Sequence, residues 1–150
     1  MVLTSKESGL LKDAKEQEEL CIEKYTRYAG IAKCDGLKKL LNSLADKERE
    51  HLKTINDMMN GNEPAAPSTL AANNDLAVAC SYSSEEDKKN DAFMLRDMLA
   101  TEKHVSSVYD VAVFEFRSPA QRKMLSHIQS EEQQHGEMLY AFMNANGMYS

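Results

Sequence analysis

A chain of 150 residues with 42% hydrophobic and 28% charged content can bury a core as one domain, 1–150, and its few prolines (3) and glycines (6) and absent tryptophan favour helix over strand. A formal net charge of −6, with no Lys/Arg run longer than two, argues against a nucleic-acid partner, and no stretch approaches the roughly 18 apolar residues of a membrane span. The opening Met1-Val2-Leu3-Thr4-Ser5-Lys6-Glu7 lacks a charged-then-apolar leader pattern, so a cytoplasmic location is expected, and Cys21, Cys34 and Cys80, with no CxxC pair, are expected to be reduced, small buried hydrophobes.

The first helix, about 5–33, follows a Thr4/Glu7 capping box and carries a seam through Leu11, Ala14, position 18, Cys21, Tyr25, Tyr28 and Ala32. After Cys34-Asp35-Gly36, a second helix over about 36–59 carries Leu37, Leu41, Leu44, positions 48 and 51, Ile55 and Met58, and stops at Asn60-Gly61. The crossover, about 60–84, gathers Pro64, Pro67, Asn73-Asn74 and scattered Ser/Thr, with room for a short helix near Leu76 to Cys80. A third helix, about 84–117, has its seam at Leu95, Met98, position 102, Val105, Tyr109, Ala112 and Phe116. Ser118-Pro119-Ala120-Gln121 reads as a capping box with proline at the first helical position, opening a fourth helix to about 145 through Leu125, Ile128, positions 132 and 135, Leu139 and Phe142.

The two hairpins are one pattern written twice. An offset of 84 positions carries Leu11, Glu18, Tyr25, Leu41, Leu44, Glu48, His51 and Ile55 onto Leu95, Glu102, Tyr109, Leu125, Ile128, Glu132, His135 and Leu139 without a gap. The expected fold is therefore all-α: a four-helix bundle of two antiparallel hairpins, related by a pseudo-twofold axis and joined by a long crossover that lets the second and third helices run parallel.

Each seam is apolar except at its centre, where one Glu interrupts the first and third helices and a Glu-x-x-His pair interrupts the second and fourth. Ionised groups buried there without partners would cost several kcal/mol each. Two divalent cations balance four carboxylates and two neutral imidazoles, and i, i+3 spacing sets Glu48 with His51, and Glu132 with His135, on one face. Glu18, Glu48, His51, Glu102, Glu132 and His135 are thus the candidate metal ligands, with Glu18 and Glu102 capping or bridging. A lone Glu-x-x-His is weak evidence; two copies on equivalent seams, each 30 residues after a seam Glu, are much stronger.

Tyr25 and Tyr109, two turns beyond Glu18 and Glu102, are candidates to hydrogen-bond ligand carboxylates and are counted with the four glutamates as catalytic candidates. Cys21 lies one turn from Glu18. Glu16, Glu19, Glu23, Glu50, Glu131 and Glu137 fall off the seam, and His104 and His127 face away from it, which reads as solvated helix surface; for Glu131 a role accepting a proton from a ligand histidine is the alternative. Met58, Met59, Met98 and Met138 read as core filler.

With these six residues placed, the chain resembles the ferritin-like superfamily, particularly rubrerythrin-type and bacterioferritin-type di-iron domains. The second half, from Asp97-Met98-Leu99 through Ser118-Pro119 and Glu131-Glu132 to Met143-Asn144-Ala145-Asn146-Gly147-Met148-Tyr149, is similar to the coat F domain of spore coat proteins. The first resemblance implies a di-iron centre, with manganese permitted by the same donors, that reduces hydrogen peroxide or dioxygen as a peroxidase or ferroxidase, or acts like a manganese catalase. Without a cysteine-rich rubredoxin-like module, the electron donor must come from outside. Val105 stands where rubrerythrins carry a further ligand Glu, which implies a six-ligand site, and a homodimer is expected. The second resemblance implies the alternative, a spore-associated structural or storage protein whose metal site only braces the bundle.

Overall fold

The computed structural model describes residues 2–71 and 77–149. The Thr4 hydroxyl accepts from the Glu7 amide (3.0 Å) and the Glu7 carboxylate from the Thr4 amide (2.8 Å), a reciprocal cap that opens α1 (Ser5–Ile31). α2 (Asp35–Met59) begins after Cys34, whose side chain makes no cap. Ser84 caps α3 (Glu85–Glu115) through the Asp87 amide at 3.1 Å, and three acids in the first turn face the positive end of the helix dipole. Ser118 caps α4 (Pro119–Ala145) through the Gln121 amide at 3.3 Å, but the return bond from the Gln121 side chain is not formed, so half of the expected box exists.

α1 packs against α2 and α3, and α4 against α3 and more lightly α2. Tyr25 meets Glu102 while Tyr109 meets Glu18, so α1 and α3 are antiparallel; each hairpin is antiparallel in turn, which leaves α2 and α3 parallel on the diagonal. The seam residues Leu11, Leu41, Leu44, Ile55, Leu95, Met98, Leu125 and Leu139 are buried, as are Met58 and Val105. No helix among the described residues is long and apolar enough to cross a membrane.

Two buried acids explain why α1 and α3 end at Ile31 and Glu115, two residues short of the expected 33 and 117. The Asp91 carboxylate accepts from the amides of Lys33 (2.9 Å) and Cys34 (3.1 Å) and from the Tyr82 hydroxyl (2.9 Å). Glu7 accepts from the Arg117 amide at 3.0 Å. Position 7 maps onto 91 and 33 onto 117 by the same 84-residue offset, so each hairpin's first helix satisfies the freed amides in the other hairpin's turn. Asp91→Ala removes the acceptor of those partly buried amides and of the Tyr82 hydroxyl and is expected to cost roughly 1–3 kcal/mol, read as a lowered urea midpoint; an unchanged midpoint would dismiss this clamp.

Two expectations for the middle of the chain are corrected. Residues 77–80 form no helix, while Asn73, Asn74 and Leu76 lie outside the described residues. Cys34 and Cys80 are not reduced thiols: they form a disulfide with their Cα atoms 5.9 Å apart, across 46 residues of sequence, and only Cys21 is a free cysteine. The sequence concealed the pairing because the crossover's last stretch is placed by contacts from both hairpins. Asn146, just past α4, accepts from the Cys80 amide (2.7 Å) and donates to the Val78 carbonyl (2.8 Å). On the other side Val78 packs over Gly36, where a Cβ would overlap its side chain, so glycine there is what admits the crossover beside α2.

Candidate metal centre

The four central interruptions of the seams meet at one level of the bundle. Glu18 (α1), Glu48 and His51 (α2) and Glu132 (α4) form one group in which each offers a donor atom within 4.8 Å of the others; Glu48, Glu132, Glu102 (α3) and His135 (α4) form a second. Glu48 and Glu132 belong to both. The structure therefore gives the shared positions to the carboxylates of the Glu-x-x-His pairs and the terminal positions to Glu18 and Glu102. Each shared carboxylate also lies closer to the histidine of the opposite pair than to its own. His51 Nδ1 is 2.7 Å from Glu132 and 3.4 Å from Glu48, and His135 Nδ1 is 2.8 Å from Glu48 and 3.6 Å from Glu132. The imidazole rings lie 5.7 Å apart, 18° from parallel.

All six residues are buried. Glu18 Oε2, both oxygens of Glu48 and Glu132, Glu102 Oε2 and both imidazole Nδ1 atoms have no hydrogen-bond partner; the only other such buried side-chain atom among the described residues is Gln121 Nε2. Buried polar groups are nearly always satisfied, so eight orphaned donor atoms facing one another describe a site built around something the chain itself does not supply. Each of the two groups could hold a metal ion, and Glu48 and Glu132 offer donors to both.

Without cations the cluster is electrostatically conflicted. Burial, then the charges of Glu102 and Glu18, push the Glu48 carboxyl up to about 7. Burial and Glu132 push Glu102 up to about 8 and raise Glu18 as well. Burial and Glu48 also oppose ionisation of Glu132, but the close approach of Glu102, His135 and His51 outweighs them and holds it below its ordinary value. Burial opposes charge on both histidines, yet the surrounding carboxylates raise them well above theirs.

Tyr25 donates to Glu102 at 2.5 Å and Tyr109 to Glu18 at 2.7 Å, so each phenol serves the terminal carboxylate of the other hairpin. Burial and the nearby carboxylates keep both phenols protonated, as donors. Cys21 is buried beside the cluster but belongs to neither donor group; burial and four carboxylates drive its thiol far upward. Glu16, Glu19, Glu23, Glu50, Glu137 and His104 are exposed.

Glu131 and His127 depart from the expected solvated surface. Glu131 is buried and sits 3.0 Å from His51 Nε2, with His127 Nε2 at 3.3 Å and Lys47 Nζ at 3.6 Å. Burial would raise its carboxyl, but the hydrogen bond and charge of His51, with Lys47 and His127, bring it down to about 2. A helical wheel puts Glu131 off the seam; it is covered by His51 and Lys47 of α2 and by His127 one turn earlier on α4, and the available signal was the charge reversal between Lys47 and Glu131 at equivalent positions.

Clefts approach the cluster from two sides. One, of about 380 Å³, lies between α2, α4 and the crossover and ends at His51 and Glu131. The other, of about 360 Å³, lies between α3 and α4 and is lined by Glu102 and Glu132 themselves.

Residues 90–150 match the coat F domain. This similar segment carries most of α3 and all of α4, and with them Glu102, Glu132 and His135; the remaining three candidate ligands come from the first hairpin. No curated protein and no solved structure matches the chain.

Proposed function

We propose that this chain is a coat F-type bundle, associated with the spore coat, whose core binds two divalent cations through Glu18, Glu48, His51, Glu102, Glu132 and His135. The observation that carries the reading is the convergence of eight unsatisfied buried donor atoms at one level of the bundle. The cations would neutralise the four carboxylates and cross-link all four helices. The Cys34–Cys80 disulfide supports an oxidising outer layer over the cytoplasm as the working location. Protein dialysed against buffer containing iron(II) or manganese(II) is expected to take up close to two ions per chain by elemental analysis. A metal content near zero that added iron(II) or manganese(II) does not raise would remove this reading.

A second reading goes further: a ferritin-like oxidoreductase that reduces hydrogen peroxide or dioxygen. It is favoured by the cleft between α3 and α4, whose lining includes the candidate ligands Glu102 and Glu132. A bound iron or manganese pair would supply the two electrons, replenished by an external donor. The chain's part would be to hold the ions through the six ligands, to fix Glu18 and Glu102 with Tyr109 and Tyr25, and to admit a small oxidant between α3 and α4. Reduced, metal-loaded protein would then be oxidised by peroxide faster than the free metal in buffer. Equal rates would leave the brace as the whole function.

A further inference from the structure

The two halves of the candidate centre are related by an 84-residue offset at every ligand, yet their surroundings are not. Glu131 stands against the outer nitrogen of His51 at 3.0 Å, held in place by His127 and Lys47. The equivalent position for His135 is Lys47, which turns away to Glu50 (2.7 Å) and Glu131. Among the described residues nothing hydrogen-bonds to His135 Nε2. A carboxylate on the outer nitrogen fixes the tautomer that offers Nδ1 to a cation, holds the ring's orientation and raises its basicity.

Access differs in the same sense. The cleft on the His51 side stops at the imidazole edge and Glu131, with no ligand carboxylate lining it. The cleft on the other side is lined by Glu102 and Glu132, with Leu99, Lys103, Ser106 and Gly136 among the residues around them.

We propose that the two cation positions are inequivalent: the Glu18/His51 position is the tighter one, with Glu131 as its positioning residue, and the Glu102/His135 position, beside the α3–α4 cleft, is the weaker, exchangeable one. This rests on the two-cation reading above, and the two can fail separately. Metal-free full-length protein titrated with manganese(II), followed by calorimetry and by the magnetic resonance signal of free manganese, is expected to take two ions in two steps at least roughly tenfold apart. Glu131→Gln, which keeps the shape, is expected to weaken the tighter step roughly 10–100-fold and leave the weaker one in place. The exchange Lys47→Glu with Glu131→Lys moves the carboxylate to His135; there His135→Ala, rather than His51→Ala, should abolish the tighter step. Helix content by circular dichroism reports whether each variant folds.

Two equal steps in the native protein, or a Glu131→Gln variant that shifts both steps alike or neither, would overturn the inequivalence while leaving two-cation binding intact. No uptake of manganese at all would overturn both readings together.

Discussion

Glu48→Ala or Glu132→Ala is expected to reduce binding from two cations per chain to none, at concentrations where Glu18→Ala or Glu102→Ala still retains one. The contrast follows from membership: Glu48 and Glu132 lie in both donor groups, whereas Glu18 and Glu102 each lie in one. Losing a shared carboxylate strips one anionic donor from both positions and leaves the two ions repelling each other across the gap. Losing a terminal carboxylate leaves the opposite group complete. Elemental analysis after equilibrium dialysis against a fixed manganese(II) concentration measures it directly, and four variants with the same stoichiometry would contradict the assignment of shared and terminal positions. In metal-free protein these substitutions should act in the other direction. Removing one buried carboxyl from a crowded cluster relieves repulsion, so Glu48→Gln, close in volume, should melt higher than the metal-free native chain above neutral pH.

Raising the pH from 5.5 to 9 is expected to destabilise the metal-free protein by several kcal/mol and to leave the cation-loaded protein nearly unaffected. Glu48 and Glu102 reach about 7 and about 8 in the fold, above the ordinary carboxylate value, so their contribution is fully present below about pH 4.5 and is lost as pH rises through 7 and 8. His51 and His135 are raised too, so their contribution is present below about pH 6.5 and is lost as pH climbs through their folded values. Glu131 works oppositely: lowered to about 2, its contribution is present above about pH 4.5 and is lost as pH falls toward 2. The metal-free optimum therefore lies at mildly acidic pH. Bound cations replace the protons as counter-charge and remove the alkaline decline, and their affinity should itself rise with pH because they displace protons. Melting temperatures at pH 5.5, 7 and 8.5, with chelator or with manganese(II), provide the test. A metal-free melting point that rises over this range would exclude the crowded-carboxylate account.

The residues that meet in the core could be read from the sequence because they announce themselves by misfit. A Glu or His on an otherwise apolar helical seam contradicts the pattern around it, and the second hairpin repeats the contradiction at the same spacing. Four helices, their seams and the meeting of six polar side chains follow from that periodicity, since a helix fixes which side chains share a face within itself.

Contacts between elements were decided only by tertiary structure. That Glu48 and Glu132 are shared while Glu18 and Glu102 are terminal depends on how far each helix leans toward the axis, which no single helix encodes. Glu131 is buried by side chains that reach it from α2, His51 and Lys47, although its own helix places it off the seam. Asp91 and Glu7 satisfy amides 57 and 110 residues away, and Cys80 finds Cys34 because Asn146 and Gly36 position the chain between them. Periodicity carries information over a few turns; hydrogen bonds and covalent links across the bundle depend on where separate helices finally rest, and that is set by packing.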